Sequence, residues 1–415
     1  MQSLFLNGSP FRRRPSVFPL VPLAVPYWNS TTYHAILRSF FTRRLIDGSD
    51  LGKLRSLLTE TFGVDDAVLC GSGSLALEIA LRACDIREGD EVVIPTFCCT
   101  AVVAPVLAVG ALPVFADVGE ELNLTVETVD TALTQKTKAV IVPHLFGNPA
   151  DINSIVEHVH GKDIRVIDDA AQALGATIAG HSVGSFGDAG VLSFGDEKVC
   201  SGLGGGVVIS RQQEVLDRCL QVDLEPAVLS MAARGFLSTV IRRRWRRWTL
   251  PLQKSLSRTE TNSPDSPPTP YRKEIMANLN AAVAFNLMGT LHENIVARRA
   301  RADAYQELLG AEERLALISH RLGSACLSQV VRVLPARRGD DVATRLIDVL
   351  ASAGYEVQGS YVPIHLLPYY ERWTQNSFPY AERVWPDLIE LPCEPSVSFD
   401  HVERIANIVK EVVRA

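Results

Sequence analysis

Residues 70–81 read CGSGSLALEIAL: an apolar strand, AVLC at 67–70, passes through two glycines and two serines into a helix. N–H groups in the first turn of a helix have no intrahelical partner and carry the positive end of the macrodipole, so such a loop holds an anion, most often phosphate. Gly71, Gly73 and Ala76 also spell G-x-G-x-x-A, the dinucleotide fingerprint, and the choice between these readings decides the fold. A dinucleotide-binding unit needs an acid at the end of its second strand to grip a ribose. Here EVVIPTF ends in Pro95, Thr96 and Phe97, and Asp90 and Glu91 stand at the strand's start, on the wrong edge of a parallel sheet. The dinucleotide reading fails on that context.

From 67 to 210 the chain alternates short β-branched runs with helical patterns: AVLC, EVVIP, LPVFAD, KAVIVPH, IRVID, GVLSF and GGVVIS. This predicts an α/β fold with a largely parallel sheet wrapped by helices, its ligand at the carboxyl ends of the strands. After residue 272 the long helical stretch EIMANLNAAVAFNLMGTLHENIVARRARADAYQELL leads into LSQVVRVLP, the helix DDVATRLIDVLASAG, the strand-like YEVQGSY and a last helix, DHVERIANIVKEVVRA. The expected division is an N-terminal arm and helix at 1–45, a large domain at 46–270 and a smaller α+β domain at 271–415.

A chain of 415 residues with 47% apolar and 21% charged residues is of ordinary globular composition. Its net charge of -6 gives no reason to expect nucleic acid as a partner. The eight cysteines are scattered, Cys98 and Cys99 are adjacent, and none has metal-ligand spacing, so we expect no metal and a reducing, cytoplasmic setting. FRRRPSVFPLVPLAVP mimics a signal peptide, but Pro15, Pro19, Pro22 and Pro26 break helix and no small-residue cleavage site follows. We read it as an extended arm on the protein surface. No apolar run reaches the roughly 20 residues that cross a bilayer as helix.

In IRVIDDAAQALGA a strand ends in two aspartates, and in GVLSFGDEKVCSGLGGGVVIS a strand is followed by Lys198 and a glycine run. A parallel sheet brings Asp169 and Lys198 to one edge. An acid, a lysine and a phosphate loop are what pyridoxal phosphate requires: an amine to bind it covalently, a carboxylate to keep its ring nitrogen protonated, and an anchor for its phosphate.

The ordered motifs GSGSLALEIAL, GDEVVIPTF, GALPVFADV, LFGNPADI, DDAAQALGA, GSFGDAGVLSF with Lys198 beyond it, ARRARADAYQELL, PIHLLPYY and ELPCEPSVSFDHVERI resemble the DegT/DnrJ/EryC1/StrS sugar aminotransferases of pyridoxal-phosphate fold type I, over nearly the full chain. The resemblance implies a mainly parallel seven-stranded sheet flanked by helices. Lys198 then matches the lysine that holds the cofactor, and Asp169 matches the partner of its ring nitrogen, with Asp168 a neighbouring surface or structural acid. Gln172 matches the group facing the ring hydroxyl. Phe97 matches the aromatic stacked on the ring, with a buried core phenylalanine as its alternative. Gly73, Ser74, the backbone of Leu75 and Ser193 match phosphate anchors, Ser74 doubling as a helix cap. His365 and Arg272 are substrate-side candidates, and His144 reads equally as a packed strand-end residue.

By the same resemblance an amino group passes from glutamate or glutamine to a keto sugar, usually nucleotide-linked, in surface-polysaccharide or secondary-metabolite sugar biosynthesis, in a homodimer. Two rivals remain. One is a sugar dehydratase, a role in which relatives replace the lysine with histidine; the other is a non-catalytic, cofactor-bound regulatory module. Three departures bear on the choice: Pro270 stands where relatives carry an asparagine that reaches across the dimer; Gly195, Asp196 and Glu197 precede the lysine; and 223–269 matches poorly. Within that stretch RGFLSTVIRRRWRRWTL, residues 234–250, combines arginines with Trp245 and Trp248. It suits either a solvated helix, a wall for a substrate diphosphate, or weak contact with an anionic membrane surface.

Overall fold

This structure, a computed structural model, describes residues 21, 23, 27–228, 267–268, 270–334, 340–374 and 376–415. The basic segment 234–250 lies outside them.

Seven strands build the central sheet: β1 (Ala67–Cys70), β2 (Glu91–Pro95), β3 (Leu112–Ala116), β4 (Thr137–Pro143), β5 (Arg165–Asp169), β6 (Ala189–Ser193) and β7 (Gly206–Ile209). Each falls on one of the β-branched runs of the sequence. Their order across the sheet is β1-β7-β6-β5-β4-β2-β3. The pairs β2/β3, β2/β4, β4/β5 and β5/β6 are parallel, whereas β7 is antiparallel to both β6 and β1. Six strands therefore run one way and β7 alone runs back. As a result the ends of β1, β2, β4, β5 and β6 and the beginning of β7 meet at one edge.

Helices cover both faces: α1 (Ser30–Phe41), α2 (Ser49–Phe62), α3 (Gly73–Ala83), α4 (Val103–Ala108), α5 (Val126–Ala132), α6 (Ile152–Val159), α7 (Gln213–Leu220), α8 (Asn278–Met288) and α9 (Leu291–Leu309). The side-chain period of two explains why β4 is apolar from Ala139 to Pro143. Ala139 and Ile141 pack with Ile79 of α3 and Val106 of α4, while Val140 and Val142 pack with Val129 of α5 and Ile155 of α6. Each such valine or isoleucine side chain contributes about 1.5–3 kcal/mol relative to exposure. A second sheet, β8 (Leu315–Leu317), β9 (Ser328–Val333), β10 (Gln358–Gly359) and β11 (Leu388–Pro392), is antiparallel in the order β8-β9-β11-β10. It carries α10 (Val342–Ser352), α11 (Pro379–Val384) and α12 (Phe399–Arg414).

Three local expectations are corrected. The long helical stretch is two helices, because Thr290 leaves helical geometry after Gly289, and Glu274 and Ile275 instead bridge to Glu225 and Cys70. Of YEVQGSY only Gln358–Gly359 is strand, since Tyr355 bridges to Val21 and Tyr361 turns toward the strand-end loops. The arm does not simply lie on the surface: Val21 is buried in the core of the second sheet through that bridge.

Candidate active site

At the shared edge the strand-end loops enclose a cavity of about 200 Å³ lined by Gly73, Ser74, Asp169, Gln172, Ser193 and Lys198, together with Cys98, Cys99, His144, Gly204 and Gly205. The helix start on its floor is capped by Ser72, whose Oγ accepts from the Leu75 N–H at 3.2 Å. Ser74 is therefore not the cap, and its hydroxyl donates to the Ala101 carbonyl at 3.4 Å. The Leu75 N–H is engaged by Ser72 and the Leu75 side chain is buried, so Gly73, Ser74 and Ser193 line the cavity and Leu75 does not. The loop is braced from both sides, Gly71 N donating to Glu274 O at 2.8 Å and Gly205 N to Gly71 O at 3.0 Å. A Cβ on Gly73 would stand 2.9 Å from Ser193 Oγ, so a side chain at position 73 would force Ser193, across the cavity wall, to shift.

Lys198 stands on the connection from β6 to β7. That connection folds back on Phe194, whose carbonyl accepts from Gly202 N at 2.8 Å and Gly204 N at 3.1 Å. Glu197 and Leu203 adopt left-handed backbone angles, with φ of 67° and 65°. Such strain in non-glycine residues persists where the surroundings over-determine it, commonly at functional sites.

Asp169 ends β5 and is buried; burial pushes its carboxyl above the ordinary value, opposed by the Ala171 N–H at 3.0 Å and the charge of Lys198. Its neighbour Asp168 points to the other face of the strand and is a structural acid with no surface exposure. It bonds His144 Nε2 at 2.7 Å and accepts from Phe186 N at 2.9 Å. Because His144 Nδ1 accepts from Ala150 N at 2.9 Å, the ring proton sits on Nε2, facing Asp168. His144 is thus both the packed strand-end residue and part of the cavity wall. Gln172 accepts from Phe146 N and donates to the Tyr361 hydroxyl, each at 3.0 Å.

Phe97 is fully buried against the rings of Tyr361 and Phe146, 5.9 and 6.4 Å away, and is not among the cavity-lining residues. His365 also lies behind the wall. Its Nδ1 is 2.5 Å from Thr96 Oγ1 and its Nε2 is 3.3 Å from Glu382, and burial lowers its pKa against the pull of that carboxylate. Arg272 is away from the cavity, paired with Glu274 at 3.1 Å and Glu225 at 3.6 Å. Sequence reasoning did not find Cys98 or Cys99 on the cavity wall, nor Tyr361 as the partner of Gln172. Tyr361 meets Gln172 across 189 positions, a contact that no local periodicity announces.

A lysine, a buried carboxyl, a helix N-terminus with a glycine packed close to Ser193, and that serine on the cavity wall fit the cofactor that the sequence implied. Together with the sheet they define a pyridoxal-phosphate enzyme of fold type I. Among the described residues there is no cluster of His, Cys, Asp and Glu that could hold a metal ion, and no helix is long and apolar enough to cross a membrane.

The chain belongs to the DegT/DnrJ/EryC1/StrS aminotransferase family, whose sequence model matches residues 30–410. It is 30% identical to a GDP-perosamine synthase of Vibrio cholerae over 88% of this chain and 90% of that one. Over a shorter span, 37% of this chain and 42% of the other, it is 46% identical to the UDP-N-acetyl-3-dehydro-alpha-D-glucosamine 3-aminotransferase of Acidithiobacillus ferrooxidans. The fold is shared with the aminotransferase TlmJ of Streptoalloteichus hindustanus: TM-score 0.77 at 24% identity, covering 95% of this chain and 99% of that one.

Proposed function

We propose that the protein transfers an amino group from glutamate or glutamine to a nucleotide-linked keto sugar, with Lys198 and Asp169 as its catalytic pair. The carrying observation is that both side chains enter the one cavity floored by the N-terminus of α3. Two relatives named for GDP-linked and UDP-linked sugars support the nucleotide-linked substrate. When bound, pyridoxal phosphate supplies the carbonyl that takes up the amino group and a ring that delocalises charge. Lys198 Nζ holds the cofactor and, once released, is the base that moves the proton of the donor's α-carbon. Asp169 holds positive charge at the ring nitrogen, and Gly73, Ser74 and Ser193 hold the phosphate. Gln172, fixed by Phe146 and Tyr361, would face the ring hydroxyl of the bound cofactor.

Lys198 favours this reading over the dehydratase one, since a lysine is present where dehydratase relatives have histidine. The purified protein is expected to be yellow and to keep its cofactor covalently after borohydride reduction, and Lys198→Ala is expected to lose that adduct. Incubation with glutamate or glutamine and a panel of nucleotide-linked keto sugars should yield amino sugars. A deoxy product without nitrogen would establish the dehydratase, and no conversion of any sugar would favour the regulatory module.

A homodimer, a cytoplasmic location and weak membrane contact through 234–250 complete the proposal. For the last, sedimentation with anionic liposomes at low salt, reversed by high salt and weakened in Trp245→Ser/Trp248→Ser, is the expected result. Equal recovery in the supernatant with and without liposomes would rule it out.

A further inference from the structure

The connection that carries Lys198 has no regular secondary structure, yet an amine used for covalent attachment and proton transfer must be placed accurately. Side chains from outside hold its carbonyls. Asn280 on α8 donates to Gly202 O at 2.9 Å, and Trp28 Nε1 donates to Ser201 O at 3.4 Å. Nearest the lysine, Asn294 Nδ2 on α9 donates to Val199 O at 3.0 Å.

Asn294 is itself oriented. Arg298, one helical turn on, donates from Nε to Asn294 Oδ1 at 2.8 Å. The same guanidinium donates to Leu327 O at 3.1 Å and to Glu394 Oε1 at 2.5 Å. Arg298, Asn294 and Glu394 are all at least 95% buried. A flipped Asn294 amide would set its NH2 against the guanidinium and its oxygen against the Val199 carbonyl, so the network admits one orientation. A buried ion pair is weak at adding stability compared with apolar residues of the same shape, so stability alone does not account for this one.

We propose that Asn294 and Arg298 are positioning residues for Lys198: through the Val199 carbonyl they fix the connection that aims its amine into the cavity, with Leu327 and Glu394 as the fixed reference. Neither residue is among those lining the cavity. The inference rests on the reading of Lys198 given above.

Asn294→Asp separates the contacts, since it keeps an oxygen for Arg298 and loses the donor to Val199; Asn294→Leu removes both and controls for charge. Each variant is to be measured with cofactor for kcat, donor KM, and the pH at which the visible absorbance of the bound cofactor changes. The expected result is kcat lower by about tenfold or more with donor KM within about twofold, and a shifted absorbance titration in both variants. Trapping of cofactor by borohydride, a readout independent of turnover, should be slower in both. Wild-type kcat, titration and trapping would overturn the proposal, as would a loss confined to melting temperature. Failure of the wild-type protein to trap cofactor at all, or trapping that survives Lys198→Ala, would instead overturn the assignment of Lys198 and this inference with it.

Discussion

Asp169 is the residue at which the apparent costs of the site are most exposed. Burial destabilises its ionised form, so its carboxyl holds a proton above the ordinary value of 3.8. A folded-state pKa above the unfolded one means that the cofactor-free protein loses stability as pH rises through that window, and stays less stable at neutral pH. A cationic ring nitrogen against Asp169 reverses the sign by stabilising the ionised form. Asp169→Asn should therefore raise the melting temperature of the cofactor-free protein at pH 7. That advantage should vanish below the ordinary carboxyl pKa, and in the loaded protein it should disappear or invert. Thermal unfolding of both forms across pH reads this directly, and a cofactor-free variant that melts at or below wild type at pH 7 contradicts it. Amino transfer by Asp169→Asn should fall by about a hundredfold or more. Asp169 and Lys198 were legible in the sequence because one ends a strand and the other follows one, each within a motif that resembles the family's. Gln172 was legible as a residue, but its setting was not: Phe146 and Tyr361 are 26 and 189 positions away, and the sequence does not specify contacts at that separation.

At the level of elements, the approach of α3 to β6 carries the proposed phosphate cradle. Gly73 leaves room for Ser193, whose Oγ would be 2.9 Å and Cβ 3.0 Å from any added Cβ. Gly73→Ala should raise the cofactor dissociation constant by about tenfold, the loss of roughly one oriented hydrogen bond, with the fold intact. Ser193→Gly alone should weaken binding as well, yet combined with Gly73→Ala it should cost less than the two changes summed, because the clash is gone. Additive losses in cofactor titrations would show that the two positions do not share the cradle. Ser72→Ala should instead cost about 1 kcal/mol of stability through the lost cap, seen in denaturant unfolding. The sequence reading placed the cap on Ser74, but Ser74 lies inside the helix and the residue with the extended backbone of a cap is Ser72. The seven strands were readable for the opposite reason. Strands buried on both faces must be apolar throughout, and glycine or polar turns interrupt them.

For the whole molecule, the arrangement that brings five strand ends and the start of β7 to one edge leaves α1 at the periphery, and there the surface is unusual. Tyr33, Leu37 and Phe41 are exposed, Leu37 by 52% and Phe41 by 85%, at the spacing i, i+4, i+8 that places them along one helical stripe. The opposite side of α1 packs inward through Ala35 and Ile36. A stripe of large apolar side chains turned outward marks an interaction surface, and in a homo-oligomer of two-fold symmetry the same patch serves both copies. The homodimer proposed above would be expected to use this face of α1. Leu37→Ser combined with Phe41→Ser should shift the protein toward monomer in sedimentation at micromolar concentration while leaving the monomer folded, because neither side chain is part of the core. If the active site depends on the partner copy, cofactor affinity should fall with the dimer fraction and recover as protein concentration rises. An unchanged sedimentation profile in the double variant would remove α1 from the interface. A monomeric variant with wild-type cofactor affinity at every concentration would keep the interface and show that each cavity is complete within one chain.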